Sequence, residues 1–248
     1  MKETEMKSWS RKRIIHYLLS HHRDYNRLKG DLQVIYRALK CRAARITEKS
    51  MIEIFPGVEK CDIKLMYSPR LGGGDIADVV SLSQISKFLR RRRIFEIGTF
   101  CGYTTYHIAL NTSDDTHVYT LDLPADKLAN AKLEITDIEL IKKPIKGEWF
   151  LNTKVSAKIT QLLGDSAAFD YSEYEGRMDL VYVDGGHSYE YAMEDSMTAR
   201  KLLTRDGIIV WHDYPTWPGV WCCLEDLQQQ WPGHFAWIKG TALVLWHM

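Results

Sequence analysis

Between residues 94 and 213 the chain repeats one pattern, in which a short apolar, β-branched run ends on a polar or acidic residue and gives way to a helical segment. The runs predict strands over 94–98, 117–122, 157–163, 178–183 and 207–212. Helices are predicted over 103–110, near 125–140 and over 189–203. The runs are nearly continuous in apolar character, as strands covered on both faces are, so the alternation points to a parallel sheet between two helical layers. A helix near 76–90 leads into the first strand. After Asp213, a helix near 220–230 and two short strands over 234–238 and 242–247, split by Lys239-Gly240, close the sheet with an antiparallel hairpin. The expected fold class is therefore α/β, a Rossmann-like, mostly parallel seven-stranded sheet over residues 65–248, preceded by a helical extension over 1–64.

Within this pattern the run Ile94 to Thr105 reads as a buried strand breaking into a glycine turn that opens a helix. A dinucleotide site at such a turn carries G-x-G-x-x-G, so that backbone can approach a pyrophosphate at the helix N-terminus. Here Gly98 and Gly102 stand four apart and the turn has an acid, Glu96, at its threshold. A carboxylate disfavours a phosphate but suits a cofactor that has none and carries positive charge. S-adenosylmethionine, with its sulfonium and ammonium groups, meets that condition, and the sign of the site points to methyl transfer.

Ligands of open α/β sheets bind at the carboxyl ends of the strands, so the residues that end each run were sought as one site. Asp122, 24 positions beyond Gly98, stands where an acid hydrogen-bonds ribose hydroxyls, or else caps the helix that Pro124 opens. Gly164-Asp165-Ser166 ends the third run, where Asp165 can accept from an adenine amino group or cap a helix. The fourth run delivers Asp184-Gly185-Gly186-His187 and the fifth His212-Asp213-Tyr214. An imidazole, with its ordinary pKa of about 6.5, can take a proton from an acceptor hydroxyl, and His187 is the candidate general base. Asp184 and Asp213 together can hold a hard divalent cation such as magnesium, with water and substrate completing the shell; helix capping is the competing role for both.

These elements resemble the class I S-adenosylmethionine-dependent methyltransferases over roughly residues 65 to 248. The likeness is greatest to bacterial small-molecule O-methyltransferases that carry D-G-x-H-S-Y-E, here Asp184 to Glu190, and W-H-D-Y, here Trp211 to Tyr214. The resemblance implies that Glu96, Gly98, Thr99 and Gly102 shape the methionine and ribose pocket, that Asp122 binds ribose, and that Asp165 and Ser166 lie near adenine. It also implies that Asp184 borders the cofactor and that His187 and Asp213 are catalytic. More distantly, the glycine turn is similar to that of catechol O-methyltransferases, whose magnesium ligands match Asp184, Asp213 and an asparagine directly after the second acid. Tyr214 occupies that last position here, and His187 stands where those enzymes have a catalytic lysine.

The expected activity is methylation of a hydroxyl on a small molecule, such as a sugar or a natural-product intermediate. Two other readings are a non-catalytic S-adenosylmethionine-binding protein and an RNA or DNA methyltransferase guided by a basic arm. The arm is real in composition: residues 1–50 hold thirteen Lys or Arg against five Asp or Glu, although the whole chain has a formal net charge of only +1. Apolar residues Ile14, Ile15, Leu18, Leu19, Leu28, Leu32, Ile35 and Leu39 recur there at helical spacing, which favours packing or a homodimer through two helices over 8–50. Nucleic-acid amino methyltransferases carry Asn or Asp before two prolines and an aromatic residue, and Asp184-Gly185-Gly186-His187 does not match, so a nucleic-acid partner is not expected. Five cysteines without a C-x-x-C pair suggest thiols in a reducing compartment. No apolar stretch reaches membrane-spanning length and no secretory core is present, so a cytoplasmic protein without membrane contact is expected.

Overall fold

The computed structural model describes residues 46–67, 75–132 and 146–248. The expected N-terminal helices and the dimer through them fall almost wholly on residues outside that set, as does the second half of the helix expected near 125–140.

The described chain forms β1 (Glu48–Lys49), α1 (Met51–Ile54), α2 (Ile76–Phe88), β2 (Arg93–Ile97), α3 (Tyr103–Asn111), β3 (His117–Asp122), β4 (Ile159–Leu163), β5 (Met178–Val183), α4 (Tyr189–Leu202), β6 (Leu203–Trp211), α5 (Pro218–Gln230), β7 (His234–Ile238) and β8 (Val244–His247). All eight strands make one sheet in the order β1-β7-β8-β6-β5-β2-β3-β4. Strands β2 to β6 run parallel, while β8 pairs antiparallel with both β6 and β7, the expected closing hairpin. The eighth strand is the two-residue β1, which extends the edge beside Trp237 and Ile238. It precedes α1, whose Ser50–Glu53 capping box satisfies the free amides of its first turn. Residues 125–130 form a 3-10 helix.

The period-two alternation of the strands divides the core into two layers. Phe95, Ile97, Val181, Val183, Ile209 and Trp211 pack with Ala199, Leu224 and Leu227 of α4 and α5. Ile94, Val118, Leu180, Tyr182 and Val210 pack on the opposite face with Leu82, Ile85 and Ile108 of α2 and α3. A parallel sheet buried on both faces needs helices that start cleanly at its carboxyl edge. Ser188 accepts from the Tyr191 amide to begin α4, and Asp75 accepts from the Ala77 amide to begin α2. Cys61, Cys101, Cys222 and Cys223 are free thiols. Among the described residues no helix is long and apolar enough to cross a membrane.

Strand order reverses between β2, whose chain continues to β3 on one side, and β5 on the other. That crevice is the topological switch point, where open α/β sheets bind ligands.

Candidate active site

Pairing continues one residue beyond each strand end, which draws the loops together. Gly98 donates to Leu121 O (2.8 Å), Asp184 to Ile97 O (2.8 Å), Gly164 to Asp122 O (3.0 Å) and His212 to Val183 O (3.0 Å). At the β2–β5 crossing the approach is so close that a Cβ on Gly98 would lie 1.9 Å from Asp184 O, and its φ of +103° is one that side chains resist. Gly102 starts α3 at φ +79° beneath the Phe150 ring. The result is a cavity of about 300 Å³ lined by Gly98, Thr99, Asp122, Asp165, Ser166, Asp184, His187, His212 and Asp213 among others. Every expected site residue except Glu96 and Gly102 is in its wall.

Glu96 stands behind that wall. Its fully buried carboxyl accepts from Thr105 Oγ1 and, at 2.5 Å, from Thr120 Oγ1. Thr120 has one proton to give, so its 2.6 Å contact with Thr99 runs from Thr99 to Thr120. Burial, with Asp184 and Asp122 nearby, outweighs the two threonine donors and pushes Glu96 from 4.5 up to about 8. At neutral pH it is a largely protonated link between β2, β3 and α3 rather than a negative surface for the cavity.

On the β2–β3–β4 side, Asp122 Oδ2 accepts from the Phe100 amide (2.7 Å) and faces Lys146 Nζ at 3.3 Å. Burial raises its pKa although both partners oppose the shift. Asp165 accepts from the amides of Ala167 (3.0 Å) and Lys132 (2.7 Å) and from Tyr191 OH (3.0 Å), which fixes the loop that carries Ser166. Residues 147–150 brace the glycine turn: Gly147 donates to Phe100 O and Trp149 to Cys101 O, both at 3.0 Å. Trp149 and Phe150 are buried beneath the turn.

The β5–β6 side is built from imidazoles and carboxylates. His187 Nε2 lies 2.7 Å from Asp213 Oδ2, and Trp217 stacks on the His187 ring with 4.4 Å between centroids and 9° between planes. His212 Nε2 lies 3.0 Å from Asp78 Oδ2 at the start of α2, while its Nδ1 is 3.1 Å from Asp184 Oδ1 and 3.2 Å from Asp213 Oδ1. Tyr182 OH donates to Asp184 Oδ2 at 3.2 Å. Burial disfavours charge on both groups, yet the carboxylates hold the His212 pKa far above its usual range, and the two histidines hold Asp213 well below the carboxylate range. Asp213 adopts φ +66°, which aspartate tolerates better than most residues.

Asp78, Lys146, Tyr182, His212 and Trp217 are the functional candidates that the sequence did not yield. Only His212, beside Asp213 in the fifth strand-end motif, carried a local signal. The expected metal pair can be tested against the donor set. Tyr214, in the asparagine position of the catechol enzymes, buries its hydroxyl against Glu225 Oε1 (2.6 Å) and offers nothing to the site. Asp184, Asp213 and His212 do offer three donor atoms within 4.8 Å of one another, so the site can hold a metal ion, with a different third ligand. The cavity also suits S-adenosylmethionine: Asp122, Asp165 and Asp184 face it, and Gly98 lets β2 and β5 approach closely at its floor.

Residues 95–214 match a family model described as a methyltransferase domain. No curated protein matches by sequence. Among solved structures the chain is similar to cofactor-bound Rv0187 from MTB, at 16% identity over 77% of this chain and 85% of that one, with a TM-score of 0.50. It is also similar to the SAH-bound Podospora anserina methyltransferase PaMTH1, at 15% identity over 88% and 94% with a TM-score of 0.50. A methyltransferase from Geobacter sulfurreducens aligns at 10% identity over 71% and 79%, again with a TM-score of 0.50. These likenesses are likenesses of fold. Together with the sheet order they show the fold, and the family model adds a match to a methyltransferase domain over residues 95–214.

Proposed function

We propose that the protein transfers a methyl group to a hydroxyl of a small molecule, with His187 as general base. The observation that carries this reading is the 2.7 Å contact between His187 Nε2 and Asp213 Oδ2 in the wall of the cofactor cavity, under the Trp217 ring. Asp213 fixes the tautomer and favours the imidazolium that forms when the acceptor loses its proton.

S-adenosylmethionine supplies an electrophilic methyl carbon on a sulfonium. The chain's own task is to hold and align. Asp122 takes the ribose hydroxyls, with Lys146 beside it, while Ser166 and the loop pinned by Asp165 border the adenine. Gly98 and Thr99 shape the methionine end, Asp184 presents negative charge towards the cationic centre, and Trp217 keeps the His187 ring in one plane. Direct displacement gains chiefly from alignment of acceptor oxygen and methyl carbon, with proton removal contributing about 10²–10⁴-fold. A metal held by Asp184, Asp213 and His212 would orient and acidify the acceptor oxygen.

Calorimetry with S-adenosylmethionine and S-adenosylhomocysteine tests the first part, and absence of binding by both rejects it. A screen of hydroxylated acceptors by labelled methyl transfer tests the second. In the active pair, His187→Ala is expected to cut turnover by about 10²–10⁴ with cofactor affinity nearly unchanged. Undiminished turnover rejects the base assignment.

A further inference from the structure

Asp195 of α4 is a carboxyl that the proposed reaction does not use. It is fully buried, and neither of its oxygens completes a hydrogen bond with a described residue. It lies directly behind the cavity wall: a Cβ on Gly185, which lines the cavity, would stand 2.7 Å from Asp195 Oδ2. The missing side chain at Gly185 is what gives the acid its place. A buried, unsatisfied carboxyl costs stability that an apolar residue would not, so its presence calls for a partner.

The donor placed to serve it is the hydroxyl of Ser166, which favours the charged form of Asp195. Ser166 also lines the cavity, and its loop is firmly held. Tyr171 OH donates to Ser166 O at 3.1 Å. Asp165 Oδ1 accepts from the Ala167 amide and from Tyr191 OH, both at 3.0 Å, and Oδ2 accepts from the Lys132 amide at 2.7 Å. Asp165 is thereby largely spent on the loop itself, which leaves the Ser166 hydroxyl to meet a base. A hydroxyl has one proton to give and lone pairs with which to accept. When that proton goes to an ionised Asp195, a lone pair faces the cavity and selects a donor such as a 6-amino group. When Asp195 is protonated and donates to Ser166, the serine proton turns to the cavity and suits an acceptor such as a 6-oxo group.

We propose that Asp195 is a positioning residue that sets the hydrogen-bond polarity of Ser166, so that the pocket prefers a 6-amino purine when Asp195 is ionised and loses that preference when it is protonated. The inference rests on the cofactor reading above and adds base discrimination to it. Burial, with Asp165 and Glu194 nearby, outweighs the Ser166 donor and pushes Asp195 from 3.8 up to about 7, so both states are populated near neutral pH. Of the other groups that face it, Tyr171, between β4 and β5, and Cys223, on α5, are pushed up and away from this range by burial. The remaining charged neighbours are Asp165, on the Ser166 loop, and Glu194, on α4 itself, whose Oε1 lies 3.6 Å from Lys132 Nζ.

The experiment uses the full chain and two ligands, S-adenosylhomocysteine and its 6-oxo counterpart S-inosylhomocysteine, titrated by calorimetry at about pH 6 and about pH 8. The ratio of the two affinities cancels the titration of groups that do not meet the 6-position, His187 and Glu96 included. In the wild type the ratio in favour of S-adenosylhomocysteine is expected to grow by about tenfold from the lower pH to the higher. Asp195→Asn, which has no titrating proton, should give a ratio that is flat with pH, and so should Ser166→Ala. A merely structural Asp195 would lower the melting temperature of Asp195→Asn and leave the profile of the ratio as it is in the wild type. A wild-type ratio that does not move with pH, or a wild-type profile retained in either variant, overturns the proposal. The wild-type profile decides even if a variant fails to fold. Binding of S-adenosylhomocysteine with a flat ratio rejects only this inference, whereas absence of binding by both ligands rejects the cofactor reading together with it.

Discussion

The two sides of the cavity solve the same electrostatic problem in different ways. On the β2–β3–β4 side, Asp122 and Asp165 are satisfied by backbone amides, a tyrosine hydroxyl and one lysine. On the β5–β6 side, Asp184 and Asp213 are satisfied chiefly by two histidines and share one of them. A fixed donor array suits recognition of a ligand whose charge does not change. An array of imidazoles and carboxylates suits a place where a proton or a cation is exchanged. Under the proposed function the contrast would place binding on one side and chemistry on the other, and it can be broken at several points.

The largest effect is expected where the sides meet. Gly98→Ala places a methyl group 1.9 Å from Asp184 O in a backbone conformation of φ +103°, so β2 and β5 must separate. A loss of about 4 kcal/mol or more in urea unfolding is expected, with cofactor binding lost as well. An unchanged midpoint would mean that the two sides are less tightly joined than their hydrogen bonds imply.

Next comes Glu96, the buried link between the strands of the recognition side. Its folded-state value of about 8 lies above the ordinary 4.5. The folded protein therefore binds more protons than the unfolded chain between these values. The stability it contributes is complete below about pH 4.5 and is lost as pH rises through 8. Each unit of separation is worth about 1.4 kcal/mol, so this group alone should cost a few kcal/mol between pH 5 and 8. Glu96→Gln keeps an acceptor for Thr105 and Thr120 and should flatten the decline, gaining most in melting temperature at pH 8. Equal shifts at both pH values would refute a protonated link.

Asp122→Asn should weaken S-adenosylmethionine by roughly tenfold, about 1.4 kcal/mol, while turnover at saturating cofactor changes little. That split between affinity and rate is the reverse of the one expected for His187→Ala. If Asp122→Asn lowers turnover with affinity intact, the division of labour between the sides fails.

The sequence made the recognition side more legible than the chemical side, for a physical reason. A parallel sheet puts the end of every strand at one edge, so Asp122, Asp165, Asp184 and Asp213 could be gathered from strand ends alone. Strands 117–122, 178–183 and 234–238 were read at the bounds found in the structure. Glu96 was legible as a buried strand residue, but its direction was not, because the pleat turns its side chain towards α3 while Ile97 faces the cavity. The partners of His212 could not be read at all: Asp78 lies 134 positions away on the helix that precedes β2. Lys146 and the brace at 147–150 follow an insertion without a strand pattern, and only the fold shows that they return to the glycine turn.

The smallest expected effect probes how the chemical side holds its base. Trp217 lies parallel to His187 at 4.4 Å, and Gly219 allows the approach, since a Cβ there would lie 2.3 Å from His187 O. Stacked rings of this kind contribute about 0.5–1.5 kcal/mol beyond simple burial. If that energy serves to hold the imidazole in line with Asp213, Trp217→Ala should lower turnover about two- to tenfold at constant cofactor affinity, and Trp217→Phe should restore most of it. A merely structural role would instead lower both variants' melting temperatures and leave the rate per folded molecule alone. The pH profile adds a further readout, because a ring that swings away from Asp213 loses the carboxylate that favours its charged form. Its apparent pKa should then fall in Trp217→Ala and stay in place in Trp217→Phe. A profile that does not move in either variant would leave Asp213 as the sole determinant of the His187 orientation and reduce Trp217 to part of the cavity wall.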